Sequence, residues 1–291
     1  MSTITPLSIR GLTWFQALAD KAQPVDTGLG SVLVADAPLA LPSPPTNGSE
    51  ERARGEGERV RLLAIVPDPR NRFPRARHGE LGLDEGWALA HHVREAIAAD
   101  HSGAKRPIIA IVDVQSQAYG RIEALLGIHL SLAAAADAYA TARMAGHPVV
   151  ALIVGTALSG GLLAHGDQAH RLLALDAPGV IVHAMRKQSA ARITRRTVAE
   201  IDELGKTVIP MSYDIRQFAK LGLLHELIAG IDADAPSAAQ IARVKERVAA
   251  AIADIRKHPG DLTSRLNNTE AKSHRAASIE VRRRLTEQWN A

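Results

Sequence analysis

The stretch PIIAIVDVQSQAYGRIEALLGIHLSLAAAADAYATARMAGHPVVALIVGTALSGGLLAHG, residues 107–166, decides how this chain folds. PIIAIVDV (107–114) and PVVALIV (148–154) are continuous apolar runs, as expected of strands buried on both faces. Between them, Gly120 to Met144 reads as one long helix. Ile122, Leu125, Leu126, Leu130, Ala133 and Ala134 lie on its apolar stripe. Each strand runs into a turn of small residues and then a helix start. The first turn is QSQAYG (115–120) and the second is TALSGG (156–161). The first N–H groups of a helix have no internal partner, and small residues let a ligand approach them. Two such turns on neighbouring strands suit an oxyanion.

The same pattern extends outward. VRLLAIV (60–66), ended by Pro67, reads as another buried strand, and a helix follows from Asp84 to about Asp100. In that helix Asp84 is the expected N-cap, and Trp87, Ala90, Val93 and Ile97 form the inner face. RLLAL (171–175) and GVIV (179–182) read as short strands, and KTVIP (206–210) as a further extended piece. A helix begins at Ser237 and stops at Pro259-Gly260. Apolar strands alternating with helices imply an α/β fold with a parallel sheet. We expect one domain over 1–291, with a helical arm at 262–291. Residues 36–59, with four prolines and three glycines, are expected to be an exposed mobile loop.

Composition excludes several chemistries. The 291 residues contain no cysteine, so thiol nucleophiles, thiolate metal sites and disulfides are ruled out. Aromatics make up 3%, which argues against base-stacking nucleic-acid recognition, and the net charge of +4 is not gathered in one block. The start of the chain lacks a signal-peptide apolar region, and no run reaches the length of a membrane span. A cytoplasmic protein without nucleic-acid or membrane partners is expected. No HExxH, EF-hand, Walker or GxGxxG motif is present, and no metal site is expected.

Three groups of residues are candidates for function. Backbone N–H groups at Ala118, Tyr119, Gly120, Gly160 and Gly161 could hold an oxyanion, with Gln117 and Ser159 as polar neighbours. Ser159 is also the expected N-cap of the helix that follows it. It resembles a nucleophile elbow, although the strand expected at 148–154 ends too early for one, and His183 would be its base in a serine peptidase. Arg70, Arg72, Arg75 and Arg77 lie within nine residues, with His78, and could dock a phosphate or carboxylate. A solvated loop, or salt bridges to a partner, would use the same arginines.

From Pro107 to Met185 the chain resembles the crotonase/Clp-protease-like fold, a ββα superhelix, in its acyl-CoA carboxyltransferase branch. The motifs are Gln117-Ala118-Tyr119-Gly120 and Gly155-Thr156-Ala157-Leu158-Ser159-Gly160-Gly161-Leu162. Ser116-Gln117 stand where biotin-dependent members carry Pro-Gly, which argues against biotin. Together with 67–87 and 203–228, the pattern resembles the gamma subunit of biotin-independent malonate decarboxylases. That resemblance implies a beta subunit of the same fold, an acyl carrier protein subunit and an acyl carrier transferase subunit. It also implies decarboxylation of a malonyl thioester to an acetyl thioester and CO2 through an enolate. The phosphoribosyl-dephospho-CoA arm would belong to the carrier, with no cofactor bound covalently to this chain. The other readings are a biotin carboxyltransferase subunit, a carrier-docking scaffold and a peptidase.

Overall fold

The computed structural model describes residues 7–41, 57–258 and 262–289. Seven strands form the sheet: β1 (Val32–Leu39), β2 (Glu58–Ile65), β3 (Ile108–Val114), β4 (Val149–Leu158), β5 (Arg171–Asp176), β6 (Ile181–His183) and β7 (Glu226–Ala229). Their order is β1-β2-β3-β4-β5-β7, and β6 pairs with β4. Only the β1–β2 pair is antiparallel. The helices are α1 (Arg10–Ala19), α2 (Leu83–Ala99), α3 (Arg121–Leu125), α4 (Ile128–Met144), α5 (Ser159–Ala164), α6 (Lys187–Thr194), α7 (Val198–Thr207), α8 (Ile215–Lys220), α9 (Ala238–Lys257), α10 (Ser264–Asn267), α11 (Thr269–His274) and α12 (Ala276–Trp289). β3 and β4 are buried along their whole length, as continuous apolar runs require.

Strand β4 positions the site. Val150–Ile153 pair with β5, and Thr156–Leu158 pair with β6. Between these halves the register against β3 jumps: Val112 faces Ile153, but Val114 faces Ala157. Asp113, the one acid in an apolar strand, fills the irregularity. Its carboxylate accepts the Thr156 N–H at 2.9 Å, the Gly11 N–H at 3.1 Å and the Ser8 hydroxyl at 2.5 Å. Gly155 makes the room, because a Cβ there would lie 2.2 Å from Asp113 Oδ1. β4 therefore leaves one set of neighbours and joins another without losing its backbone partners.

Several expectations change. The segment 36–59 is shorter as a connection than its prolines suggest. Asp36–Leu39 lie in β1 and Glu58–Arg59 in β2, while 42–56 fall outside the described residues. β1 is an edge strand, where Pro38 removes no ladder bond, and Asp36 pairs with Arg61 opposite it. The long helix breaks at Gly127, which has φ +84°. Its buried face is Ile128, Ser131, Ala135, Ala138, Tyr139 and Ala142, not the expected stripe. Ile122, Leu125, Leu126 and Leu130 are exposed, and Trp87 is half-exposed. Helix α2 begins at Leu83, with Glu85 Oε2 accepting the Gly82 N–H at 3.0 Å, so Asp84 is inside the helix and is not its cap. β4 runs four residues beyond the expected strand end. Residues 206–207 end α7, and a 3-10 turn follows at Ile209–Met211 where an extended piece was expected.

Three packing contacts secure the frame. Trp14 is fully buried and its indole N–H donates to the Ala233 carbonyl at 3.0 Å. Helix α2 lies close on α4 because Gly86 meets Ser131 directly. Beneath the sheet, Tyr139 Oη lies 3.0 Å from His165 Nδ1, and His165 Nε2 lies 3.0 Å from the Ile111 carbonyl.

Two outcomes follow from this frame. Gly155→Ala should lower unfolding free energy by about 1–3 kcal/mol, because a methyl group is forced into the Asp113 carboxylate; urea denaturation measures it. Burial lowers His165 and His170 from the ordinary histidine value to about 4. The unfolded chain then binds protons at these two sites that the folded chain excludes. Their contribution is complete above pH 6.5 and is lost as the pH falls from about 6.5 to 4. The slope approaches about 1.4 kcal/mol per pH unit per group. Thermal unfolding across that range should show the loss, and a flat profile would contradict it.

Candidate functional site

Both turns emerge at the same end of adjacent strands, and one side chain joins them. Gln117 Oε1 accepts the Gly160 N–H at 2.9 Å. Gly160 has space in front of it: a Cβ would meet Gln117 Oε1 at 3.3 Å and Leu132 at 3.5 Å. Gly161 is different. A Cβ there would lie 2.6 Å from Val114 Cγ1 and 2.9 Å from the Ser116 backbone carbon. Its bareness lets α5 sit directly on the first turn, so its role includes packing. The N–H of Ala118 is already committed to the Leu81 carbonyl at 2.8 Å. Ala118 is therefore no free donor, and the open N–H groups of the first turn are those of Tyr119 and Gly120.

Ser159 has φ +57°, a left-handed conformation unusual for serine. β4 runs through Leu158 directly into it, and α5 begins there. The strand does not end early, and the strand–turn–helix geometry of a nucleophile elbow is present. The cap position of α5 falls on Leu158, so Ser159 is the first residue of the helix and not the expected N-cap. A serine held in this conformation points to function more than to fold.

His183 does not complete a serine–histidine pair of the peptidase type. It sits opposite Leu158 in the β4–β6 register. Its Nδ1 lies 3.0 Å from the Met185 carbonyl and accepts the Met185 N–H at 3.2 Å. Among the described residues no carboxylate stands behind it to fix its tautomer. The ring stacks on Tyr213 at 4.0 Å, and burial lowers its pKa. Tyr213 donates to the Met185 carbonyl at 2.7 Å, and Lys206 pairs with Glu203 on the surface of α7.

The arginine loop divides. Arg72 makes a two-bond pair with Asp84, at 2.6 and 2.5 Å. Arg77 donates to the Asn71 carbonyl at 2.9 Å. These two hold the loop itself. Arg70 is 91% exposed, with only Asp68 near it at 3.8 Å. Arg75 turns toward the first turn: its Nε lies 3.8 Å from Glu123 Oε2, and both crowd the bare face of Gly120. The loop therefore presents Arg70 outward and Arg75 inward.

Sequence reasoning passed over two acids. Asp113 stands alone in an apolar strand, and that was its available signal. Glu123 is 4% exposed in the first turn of α3, and its Oε2 has no hydrogen-bond partner. It brings a buried carboxylate beside Tyr119 and Gly120. Around both turns lies an uncovered apolar surface formed by Tyr119, Ile122, Leu125, Leu126, Leu130 and Leu163. Among the described residues no cluster of His, Asp and Glu could hold a metal ion, and no helix is long and apolar enough to cross a membrane.

Comparison with known proteins identifies the fold and the family. At 16% identity and TM-score 0.60, transcarboxylase 12S shares the fold over 89% of this chain and 43% of its own, which places the chain in the carboxyltransferase-type, crotonase-like α/β class. A curated protein of Malonomonas rubra, malonyl-S-ACP:biotin-protein carboxyltransferase MADD, is 38% identical over 165 residues. That match spans 55% of this chain and 56% of the relative. Crystal structures from Pseudomonas are similar over the whole fold. One is a malonate decarboxylase hetero-tetramer in complex with coenzyme A, at 50% identity and TM-score 0.85, covering 97% of this chain and 100% of that one. Another is the MdcD-MdcE hetero-dimer, at 50% identity and TM-score 0.83, with the same coverage. The profile of the malonate decarboxylase gamma subunit, MdcE, matches residues 76–289, so this chain belongs to the malonate decarboxylase gamma-subunit family.

Proposed function

We propose that this chain works as the gamma subunit of a malonate decarboxylase, beside a beta subunit of the same fold. The substrate is a malonyl thioester carried on the phosphoribosyl-dephospho-CoA arm of an acyl carrier subunit. The products are the acetyl thioester and CO2. In the reaction the bond between the carboxyl carbon and the α-carbon breaks. Its electron pair moves into the thioester carbonyl, forming an enolate, and a proton then returns to the α-carbon. Fixed N–H donors lower the barrier where the oxyanion charge develops.

The observation that carries this reading is the Gly160 N–H···Oε1 Gln117 bond of 2.9 Å. It puts an oxygen acceptor, at full hydrogen-bond distance, in front of the second turn. Gln117 Oε1 occupies the position a substrate oxygen would take, and rotation of one side chain exposes the donor. In this reading the Ser159 hydroxyl and the Tyr119 and Gly120 N–H groups supply the remaining polar contacts of the site. The exposed apolar residues of α3, α4 and α5 are the natural seat for the beta subunit. An apolar surface of this kind is a partner signature, and the site then closes across the interface. Arg70, beside the half-exposed Trp87 in a cleft of about 400 Å³, suits the phosphate and purine of the carrier arm.

A second reading follows from the name of the Malonomonas relative: the same enolate chemistry with biotin as carboxyl acceptor. Avidin separates the two. The assembled complex should release CO2 from malonyl thioester in the presence of avidin, whereas biotin transfer would be blocked.

Gly160→Val should reduce decarboxylation by the assembled complex about a hundredfold, the scale of losing an oxyanion donor. The atoms nearest an added Cβ are the side-chain ends of Gln117 and Leu132, so the fold should persist. Unchanged turnover would remove the second turn from the site. Replacing Leu125 and Leu126 with Asp should abolish co-purification with the beta subunit while leaving the circular dichroism of this chain intact. Retention of the partner would place the interface elsewhere.

A further inference from the structure

A second cleft lies at the opposite end of the sheet from the turns. It holds about 500 Å³ and is lined by His170 and Arg171 at the start of β5, by the connection between α8 and β7, and by α10 and α11. Arg171 pairs with Val150 in the β4–β5 register, eight residues before Leu158. The two sites are thus separated by about 25 Å along the strand.

The cleft is rich in positive charge. Arg171 is buried, with Nε on Asp254 at 2.7 Å and Nη1 on the His170 carbonyl at 3.0 Å. Its remaining nitrogen, Nη2, has no partner among the described residues. Arg265 has a side chain only 10% exposed. It holds the Asp167 carbonyl at 2.9 Å, Asp167 Oδ1 at 3.4 Å and the Ala169 carbonyl, while its Nε is buried without a partner. Arg143 and Arg275 stand close by, and their charges, with burial, lower the Arg265 pKa. Arg143 donates to the Gln168 carbonyl and Arg275 to the Arg265 carbonyl, so neither is neutralised by an acid. Four guanidinium groups stand near three carboxylates: Asp167, Asp254 and, on the rim, Glu270, whose Oε2 lies 3.5 Å from His274 Nε2.

His170 adds a directed donor. Its Nδ1 accepts the Val149 N–H at 3.2 Å. The neutral ring must then carry its proton on Nε2. Burial and the nearby arginines keep it neutral. His225, also buried toward neutrality, lines the same wall.

Two buried guanidinium groups, Arg171 and Arg265, with unpaired N–H donors at a cleft of ligand size and a net positive surround, are complementary to an anion. We propose that this cleft binds a small phosphorylated anion, held by Arg171 and His170 and balanced by Arg265. A bound phosphate would tie α10 and α11 to the start of β5. The site is independent of the decarboxylation reading, because it shares no residue with the turns.

Isothermal titration of the full chain with sodium pyrophosphate, which has no purine for the Trp87 cleft, at constant ionic strength, tests the proposal. Saturable binding of one anion per chain is expected. Arg171→Gln should weaken it about tenfold or more, the scale of a charge-assisted hydrogen bond. Arg171 is buried, so a second variant guards against misfolding. Thr269 is exposed on the cleft wall, and no side-chain hydrogen bond is seen for it among the described residues. Thr269→Glu should leave the melting temperature unchanged and also weaken binding about tenfold or more. Arg70→Ala should leave binding intact. Absence of binding to the wild-type chain at millimolar anion, or loss with Arg70→Ala but not with Thr269→Glu, would overturn the proposal.

Discussion

One buried carboxylate sets the geometry on which the site depends. Asp113 takes the N–H groups of Thr156 and Gly11 where the β3–β4 ladder loses its register. Without an acceptor there, two buried donors would each be left unsatisfied, at about 1–3 kcal/mol. With it, β4 can shift from β5 to β6 and carry Ser159 and Gly160 to the level of the first turn. Gly155 is bare because the carboxylate needs its volume, and Gly161 is bare because α5 needs the Ser116 backbone. The glycines of one short motif thus serve three purposes: room for an acid, an open donor and close packing.

The parallel sheet was legible because its strands are apolar on both faces, a pattern little else produces at that length. The turn pair was legible for the same reason: each strand runs directly into small residues and a helix. What stayed hidden depended on neighbours. Ile122, Leu125 and Leu126 form as good an apolar stripe as any core helix, and sequence alone does not say that their face is left uncovered. Pro38 reads as a breaker, and only its place on an edge strand makes it tolerable. The four arginines looked equivalent in spacing. Asp84, Asn71 and Glu123, each brought in by the fold, set Arg72 and Arg77 as braces and draw Arg75 to the first turn, leaving Arg70 outward. The N–H of Ala118 looked as available as that of Gly120 until Leu81 came alongside it.

The chemistry this arrangement supports is carried mainly by the backbone. A chain without cysteine, and without a metal cluster among its described residues, can still stabilise an enolate with oriented N–H groups. Tyr119 and the leucines near it face outward in this chain. Under the proposed function, exclusion of water, on which such donors depend for their strength, would fall to the partner proposed to cover them.

The scarcity of aromatic residues has a practical side. Only three tryptophans are present, and each lies in a different environment. Trp14 is sealed in the core with its indole on the Ala233 carbonyl, Trp87 is half-exposed beside Arg70, and Trp289 is 91% exposed at the end of α12. Their fluorescence therefore separates into a blue-shifted, quencher-resistant component and two accessible ones. The buried ring senses whether the N-terminal helix stays docked. The middle one stands in the cleft proposed for the carrier arm, and the last marks the end of the C-terminal helices. The chain carries three built-in optical labels, one for each part of the molecule where assembly has something to change.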